Sequence, residues 1–131
     1  MIGLDTNVLV RYLVQDDPIQ SRRATELIER QLTESDPGFI SIVAMTETAW
    51  VLERAYGLDA SEIAAAIERT LQADVLVVED EQQVFAAMTA LRDGRGSFAD
   101  ALIGAFGERA GCSSTATLDR KALRLAGFAL L

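Results

Sequence analysis

Short apolar runs alternate along this chain with longer stretches in which apolar side chains recur every three or four positions, the pattern of strands followed by amphipathic helices. The first run, Met1 to Leu4, reads as a strand. It ends on an acid, Asp5, and turns at once into a helical pattern with Val8, Leu9 and Leu13 apolar and Arg11 polar. Asp16-Asp17-Pro18 marks a second helix start, because Asp17 can cap and Pro18 fits a first turn. Ala24, Leu27, Ile28 and Leu32 carry that stripe to about Glu34. The turn cluster Ser35-Asp36-Pro37-Gly38 leads into a short strand, Phe39-Ile40. Ser41 reads as the cap of a helix from Ile42 to Tyr56, ended by Gly57. Asp59-Ala60-Ser61-Glu62 has capping-box spacing and opens a helix to Gln72, with Ile63, Ile67 and Leu71 four residues apart. Val75 to Val78 is a β-branched, buried strand, and Asp80 to Asp93 is helical with Val84, Met88 and Leu91 on one face. Gly94-Arg95-Gly96 breaks it. Ser97 to Ala110 is another helix, ended by Gly111. Cys112 to Ala116 is a strand, Arg120 to Leu125 a short helix, and Phe128 to Leu131 the last strand.

Strands alternating with helices imply an α/β fold: a parallel sheet covered on both faces, with right-handed crossovers. The strand order is not legible. At 131 residues, with no repeat and no low-complexity tract, one domain over 1–131 is expected. Half the residues are hydrophobic and a quarter are charged, which suits a packed core. No apolar stretch reaches the ~18 residues of a membrane span. The early charges Asp5 and Arg11 argue against a signal peptide, so the cytoplasm is the expected compartment.

Composition narrows the chemistry. There is no His and only one Cys, Cys112, so an internal disulfide, a Cys/His zinc site and a His-activated nucleophile are all excluded. The net charge of −8 disfavours unspecific nucleic-acid binding through bulk charge, without excluding a local basic patch. Carboxylates remain. Asp5 follows the first strand, at the sheet edge where open α/β folds place their sites, although it also reads as a helix cap. Glu47 has Val43, Ala44, Trp50 and Val51 as helical neighbours, a costly setting for an ionised group without a cation. Alternatively, it reaches past them to solvent. Asp100 lies in Ser97-Phe98-Ala99-Asp100, which also reads as a cap and first turn. Farther along that helix, Gly104 and Gly107 suggest close approach of another backbone. Asp119 follows the fourth strand and also reads as a cap for the helix from Arg120. Gathered together, such acids raise one another's pKa unless a cation joins them, and oxygen-only ligands favour Mg²⁺ or Mn²⁺. Trp50 and Tyr56 have core spacing.

Asp5-Thr6-Asn7-Val8-Leu9, Ser41-Ile42-Val43-Ala44-Met45-Thr46-Glu47, Phe98-Ala99-Asp100-Ala101-Leu102-Ile103 and Thr117-Leu118-Asp119 resemble, in order, the acidic motifs of PIN-domain nucleases. The small size and the ending Ala126-Gly127-Phe128 resemble the VapC-type toxin ribonucleases of toxin–antitoxin pairs. The resemblance implies a three-layer α/β/α sandwich with a five-stranded parallel sheet. It also implies Mg²⁺- or Mn²⁺-dependent cleavage of RNA, a homodimer, and inhibition by a small antitoxin protein. Carried over residue by residue, it makes Asp5 and Asp100 the main metal ligands. Glu47 and Asp119 complete the acidic pocket, and Thr6 and Thr117 are supporting hydroxyls. Leu118 departs from the Phe often found between the Thr and the Asp. Arg11, Arg22, Arg23, Arg95, Arg120, Lys121 and Arg124 are candidates for steering RNA.

Two other classes compete. A haloacid-dehalogenase-like phosphotransferase also starts with a strand and an Asp, but it uses Asp-x-Asp where this chain has Asn7, and the only Lys downstream is Lys121. The other is a non-catalytic RNA- or protein-binding domain of the same fold.

Overall fold

Strand and helix alternate from the first residues in the computed structural model, which describes residues 1–131. The order is β1 (Ile2–Gly3), α1 (Thr6–Val14), α2 (Pro18–Glu26), β2 (Gly38–Ile40), α3 (Ile42–Arg54), α4 (Ala60–Gln72), β3 (Leu76–Val78), α5 (Glu81–Arg92), α6 (Phe98–Arg109), β4 (Thr115–Thr117) and β5 (Phe128–Leu130). A π-helical turn, Leu27–Gln31, follows α2, and a 3₁₀ turn, Arg120–Arg124, lies between β4 and β5. The long second helix expected to about Glu34 is thus an α-helix with a wider last turn. No helix is long and apolar enough to cross a membrane.

The local chemistry behaves as the sequence suggests. Asp17 accepts from the N–H groups of Ile19 and Gln20, Ser41 from Ala44 and Ser97 from Asp100, so each satisfies orphan donors at a helix start. Asp59 and Glu62 form a complete capping box on α4. At the end of α3, Gly57 takes a φ of 63°, which lets its own N–H reach Glu53 and that of Leu58 reach Leu52.

Two compact units divide the chain, Met1–Glu81 and Gln82–Leu131. In the first, β1, β2 and β3 form a parallel sheet in that order, with Gly3 opposite Phe39 and Ile40 opposite Val78. Leu9, Ile28, Ile40, Met45, Leu52 and Ile67 are almost wholly buried. α1 packs on both α2 and α3, and α3 packs on α4. In the second unit β4 and β5 pair in parallel, Thr115 opposite Phe128 and Thr117 opposite Leu130. The strands are therefore parallel as expected, but they form a three-stranded and a two-stranded sheet where one five-stranded sheet was anticipated. Runs of two or three residues make short ladders, and alternation along the sequence does not say which strands share one.

Gly104 and Gly107 face side chains, contrary to the backbone approach expected. A Cβ on Gly104 would stand 2.7 Å from Cε2 of Phe128, and one on Gly107 would stand 3.3 Å from Oγ1 of Thr115. The glycines let α6 settle on β4 and against the Phe128 ring of β5.

Candidate active site

Parallel pairing puts the ends of β1, β2 and β3 on one edge of the first unit's sheet. Asp5 is two residues beyond β1, α3 begins two residues beyond β2, and Glu79 and Asp80 follow β3. Asp5 is extended and caps α1, but its Oδ1 accepts from Thr6 N–H at 2.8 Å, not from the second- or third-position amide that a capping carboxylate usually takes. Its exposed carboxylate keeps Oδ2 outside that bond. Thr6 is buried beside it.

Asp5 and Glu47 line one cavity of about 350 Å³ between α1 and α3. From α1 come Thr6, Asn7, Val10 and Arg11. From α3 comes Val51, four residues beyond Glu47 on its face, and Ala55, the C-cap, and Tyr56 follow the helix. This corrects the reason first given for Glu47. The residue is exposed, and its supposed apolar surroundings are largely open: Val43 is 72% and Trp50 57% exposed. The buried face of α3 is instead Ala44, Met45, Thr48, Ala49 and Leu52. Trp50 is therefore not core. It stacks with the Arg54 guanidinium, 5.3 Å from the ring centroid. Tyr56 is half-buried at the cavity.

A polar network closes one side of this cavity. Arg11 Nη1 donates to both carboxylate oxygens of Asp16, at 3.0 and 3.1 Å, and to the Tyr56 hydroxyl at 2.9 Å. Arg11 Nε donates to Gln20 Oε1 at 2.8 Å, and the Tyr56 hydroxyl donates to Asp16 Oδ2 at 2.8 Å. The hydrogen bond from Tyr56, helped by Arg11, holds the Asp16 carboxyl below the usual carboxylate range despite partial desolvation. The bond to Asp16 and partial burial push the Tyr56 hydroxyl up. Arg11 is thus a fixed cation at the cavity wall, more constrained than a free steering residue.

Asp16, Tyr56 and Glu79 were not foreseen. Glu79 accepts from the Ile42 N–H at 2.8 Å and so caps the helix that carries Glu47. Its place directly after β3 is the signal that could have revealed it. The i, i+4 and i+8 row of Glu47, Val51 and Ala55, continued to Tyr56, could have pointed to the cavity.

The second unit holds the other two acids. Asp100 is half-buried in the first turn of α6, where its N–H donates to Ser97 Oγ at 3.0 Å. Asp119 follows β4. Its carboxylate accepts from Lys121 N–H at 2.9 Å, and its own N–H donates to Thr117 Oγ1 at 3.0 Å. Arg120 and Lys121 are exposed beside it, and Arg95 pairs with Asp93 at 3.5 Å.

The matched family model is the PIN domain, over residues 2–128. The chain belongs to the PIN domain family. No curated protein matches it. PIN domains are generally metal-dependent nucleases, so membership supports a nuclease-like function, and the phosphotransferase alternative is not favoured. The donor chemistry fits a divalent metal. Within neither unit do three or more His, Cys, Asp or Glu residues enclose an ion. Mg²⁺, however, is commonly held by one or two carboxylates with water completing the shell, and Asp5 and Glu47 offer such a pair in one cavity.

Proposed function

We propose that this PIN domain is an endoribonuclease dependent on Mg²⁺ or Mn²⁺, and that it acts in the cytoplasm as the toxin of a toxin–antitoxin pair. The observation that carries the reading is the Asp5–Glu47 cavity at the carboxyl edge of the β1–β3 sheet, in a chain matching the PIN domain over 2–128. Asp5 and Glu47 in the first unit, and Asp100 and Asp119 in the second, serve as the acidic residues of the nuclease. The protein pairs as a homodimer and is restrained by a small antitoxin protein.

Asp5 and Asp100 would be the main ligands of the ion, and Glu47 and Asp119 would contribute directly or through water. When bound, the ion polarises the phosphoryl oxygens and lowers the pKa of water. Thr6 N–H fixes the direction of the Asp5 carboxylate. Thr117 Oγ1 fixes the turn that presents Asp119. Without His, the proton of the attacking water passes to a carboxylate or to solvent. Arg95, Arg120 and Lys121, with Arg11, guide the RNA backbone.

The test is cleavage of an RNA panel by the purified protein with Mg²⁺, with Mn²⁺ and with chelator. Activity should require the ion and fall at least about a hundredfold in Asp5→Asn and in Asp100→Asn, as when a group stabilising the transition state is removed. Parent-like cutting by both variants would end the proposal.

A further inference from the structure

A second cleft adjoins the acidic cavity. It measures about 290 Å³, at the lower end of small-ligand sites, and lies between α1 and α2. Asn7 and Arg11 line both hollows, so the two abut at these side chains. The cleft floor is apolar, made by Val8, Ala24 and Leu27. Its polar lining is Asn7, Gln20 and two guanidinium groups, Arg11 and the exposed Arg23.

We propose that this cleft seats one nucleotide of a single-stranded RNA, next to the phosphodiester held at the acids. The apolar floor suits the face of a base, as stacking and apolar contact are available to every base without sequence readout. Arginine suits the phosphate because its planar fork pairs with two oxygens. Arg11 is held in place at the cleft wall: Gln20 accepts from Nε while Asp16 and Tyr56 accept from Nη1, leaving Nη2 outside those bonds. Asp16 and Tyr56 are positioning residues acting through Arg11. Asp16 neutralises much of Arg11, so Arg23 supplies the added positive charge that draws the backbone in. A protein segment is the less apt occupant, since the cleft has room for about one residue and opens on a cavity built for a phosphodiester.

The inference deepens the nuclease reading and is tested separately from it. A labelled single-stranded RNA oligonucleotide is titrated in chelator, by fluorescence anisotropy, over a range of salt. Arg23→Ala should raise Kd roughly fivefold and lower the slope of log K against log salt by about 0.7, the loss of one phosphate contact on a single strand. Arg23→Lys should restore most of the slope. Tyr56→Phe should raise KM for cleavage with little change in kcat, which a general structural defect would not do. Asp5→Asn should bind RNA in chelator at least as well as the parent. If Arg23→Ala leaves Kd and slope unchanged, including where it instead weakens capture of a partner protein, the nucleotide seat is refuted while the nuclease reading stands. If Asp5→Asn cuts like the parent, the nuclease reading falls whatever the anisotropy shows.

Discussion

Gly96 stands one residue before Ser97, the cap of the helix that carries Asp100, and it offers the sharpest test of how that helix is seated. A Cβ placed on Gly96 would lie 2.6 Å from Cδ1, 2.8 Å from Cγ and 3.3 Å from Cδ2 of Leu125. Carbon atoms pack best at about 3.5–4.0 Å, so at least two contacts are short by roughly 0.7 Å or more. A flexible tip could yield, but Cγ is the branch point, and Leu125 is only 7% exposed. Overpacking of this kind costs about 1–3 kcal/mol. Alanine also restricts the unfolded chain, which offsets about 0.4–1 kcal/mol where the backbone tolerates it. Gly96→Ala should therefore destabilise by about 1–2 kcal/mol in urea unfolding followed by circular dichroism. Leu125→Ala removes all three offending atoms and alone should cost about 2–5 kcal/mol. In the double variant the clash no longer exists, so the two losses should fall short of their sum by about 1–2 kcal/mol. Gly107→Ala is the control. Its nearest contact is 3.3 Å and it lies inside α6, so the helix-propensity gain of about 1 kcal/mol should leave it neutral or stabilised. Parent-like stability of Gly96→Ala, or losses additive within about 0.5 kcal/mol, would refute the reasoning.

Tyr56→Phe removes the main cause of the depressed Asp16 pKa. A carboxyl depressed on folding contributes stability above its unfolded pKa and loses it as pH falls through the folded value. Stability curves of parent and variant should therefore separate above about pH 4 and converge in stronger acid. Curves that stay parallel from pH 7 to 2.5 would contradict this. Thr48 is 1% exposed and its hydroxyl has no hydrogen-bond partner, so Thr48→Val should gain about 1 kcal/mol, seen as a Tm rise of roughly 3–5 °C. A Tm below that of the parent would show that the hydroxyl is satisfied in solution.

Elements were legible wherever a local rule fixes them. Asp17, Ser41, Asp59 and Ser97 each cap the helix they precede, and all five strands fall within a few residues of their apolar runs. The misreadings share one cause. Val43, Glu47 and Trp50 do occupy one stripe of α3, but spacing cannot say whether a stripe faces the core or solvent, and here the core takes the adjacent row from Ala44 to Leu52. Two rows of apolar residues on one helix leave the choice to packing partners that sequence does not name. Asp5 and Glu47, singled out by their motifs, line one cavity. Asp16 and Tyr56 were not foreseen, because the Arg11 network joins residues 5 and 45 positions apart, and no helical or strand period links them. The pairing of the strands depends equally on distant partners.

Charge decides what kind of binding such a chain can use. With 20 acids against 12 bases, its long-range field repels RNA, and beyond about 8 Å physiological salt screens even that. Affinity then has to come from groups within touching distance of the strand. Arg11, its charge matched by Asp16, is poor at attraction from afar, but a guanidinium already held at Nε and Nη1 gives up little rotamer freedom when a phosphate arrives. The acids obey the same logic with the opposite sign. Asp5 and Glu47 in one cavity repel a phosphodiester, and a bound cation would offset part of that repulsion. In the proposed reading a divalent ion would thus strengthen binding as well as supply chemistry, while the fixed arginine sets where the strand lies with or without it.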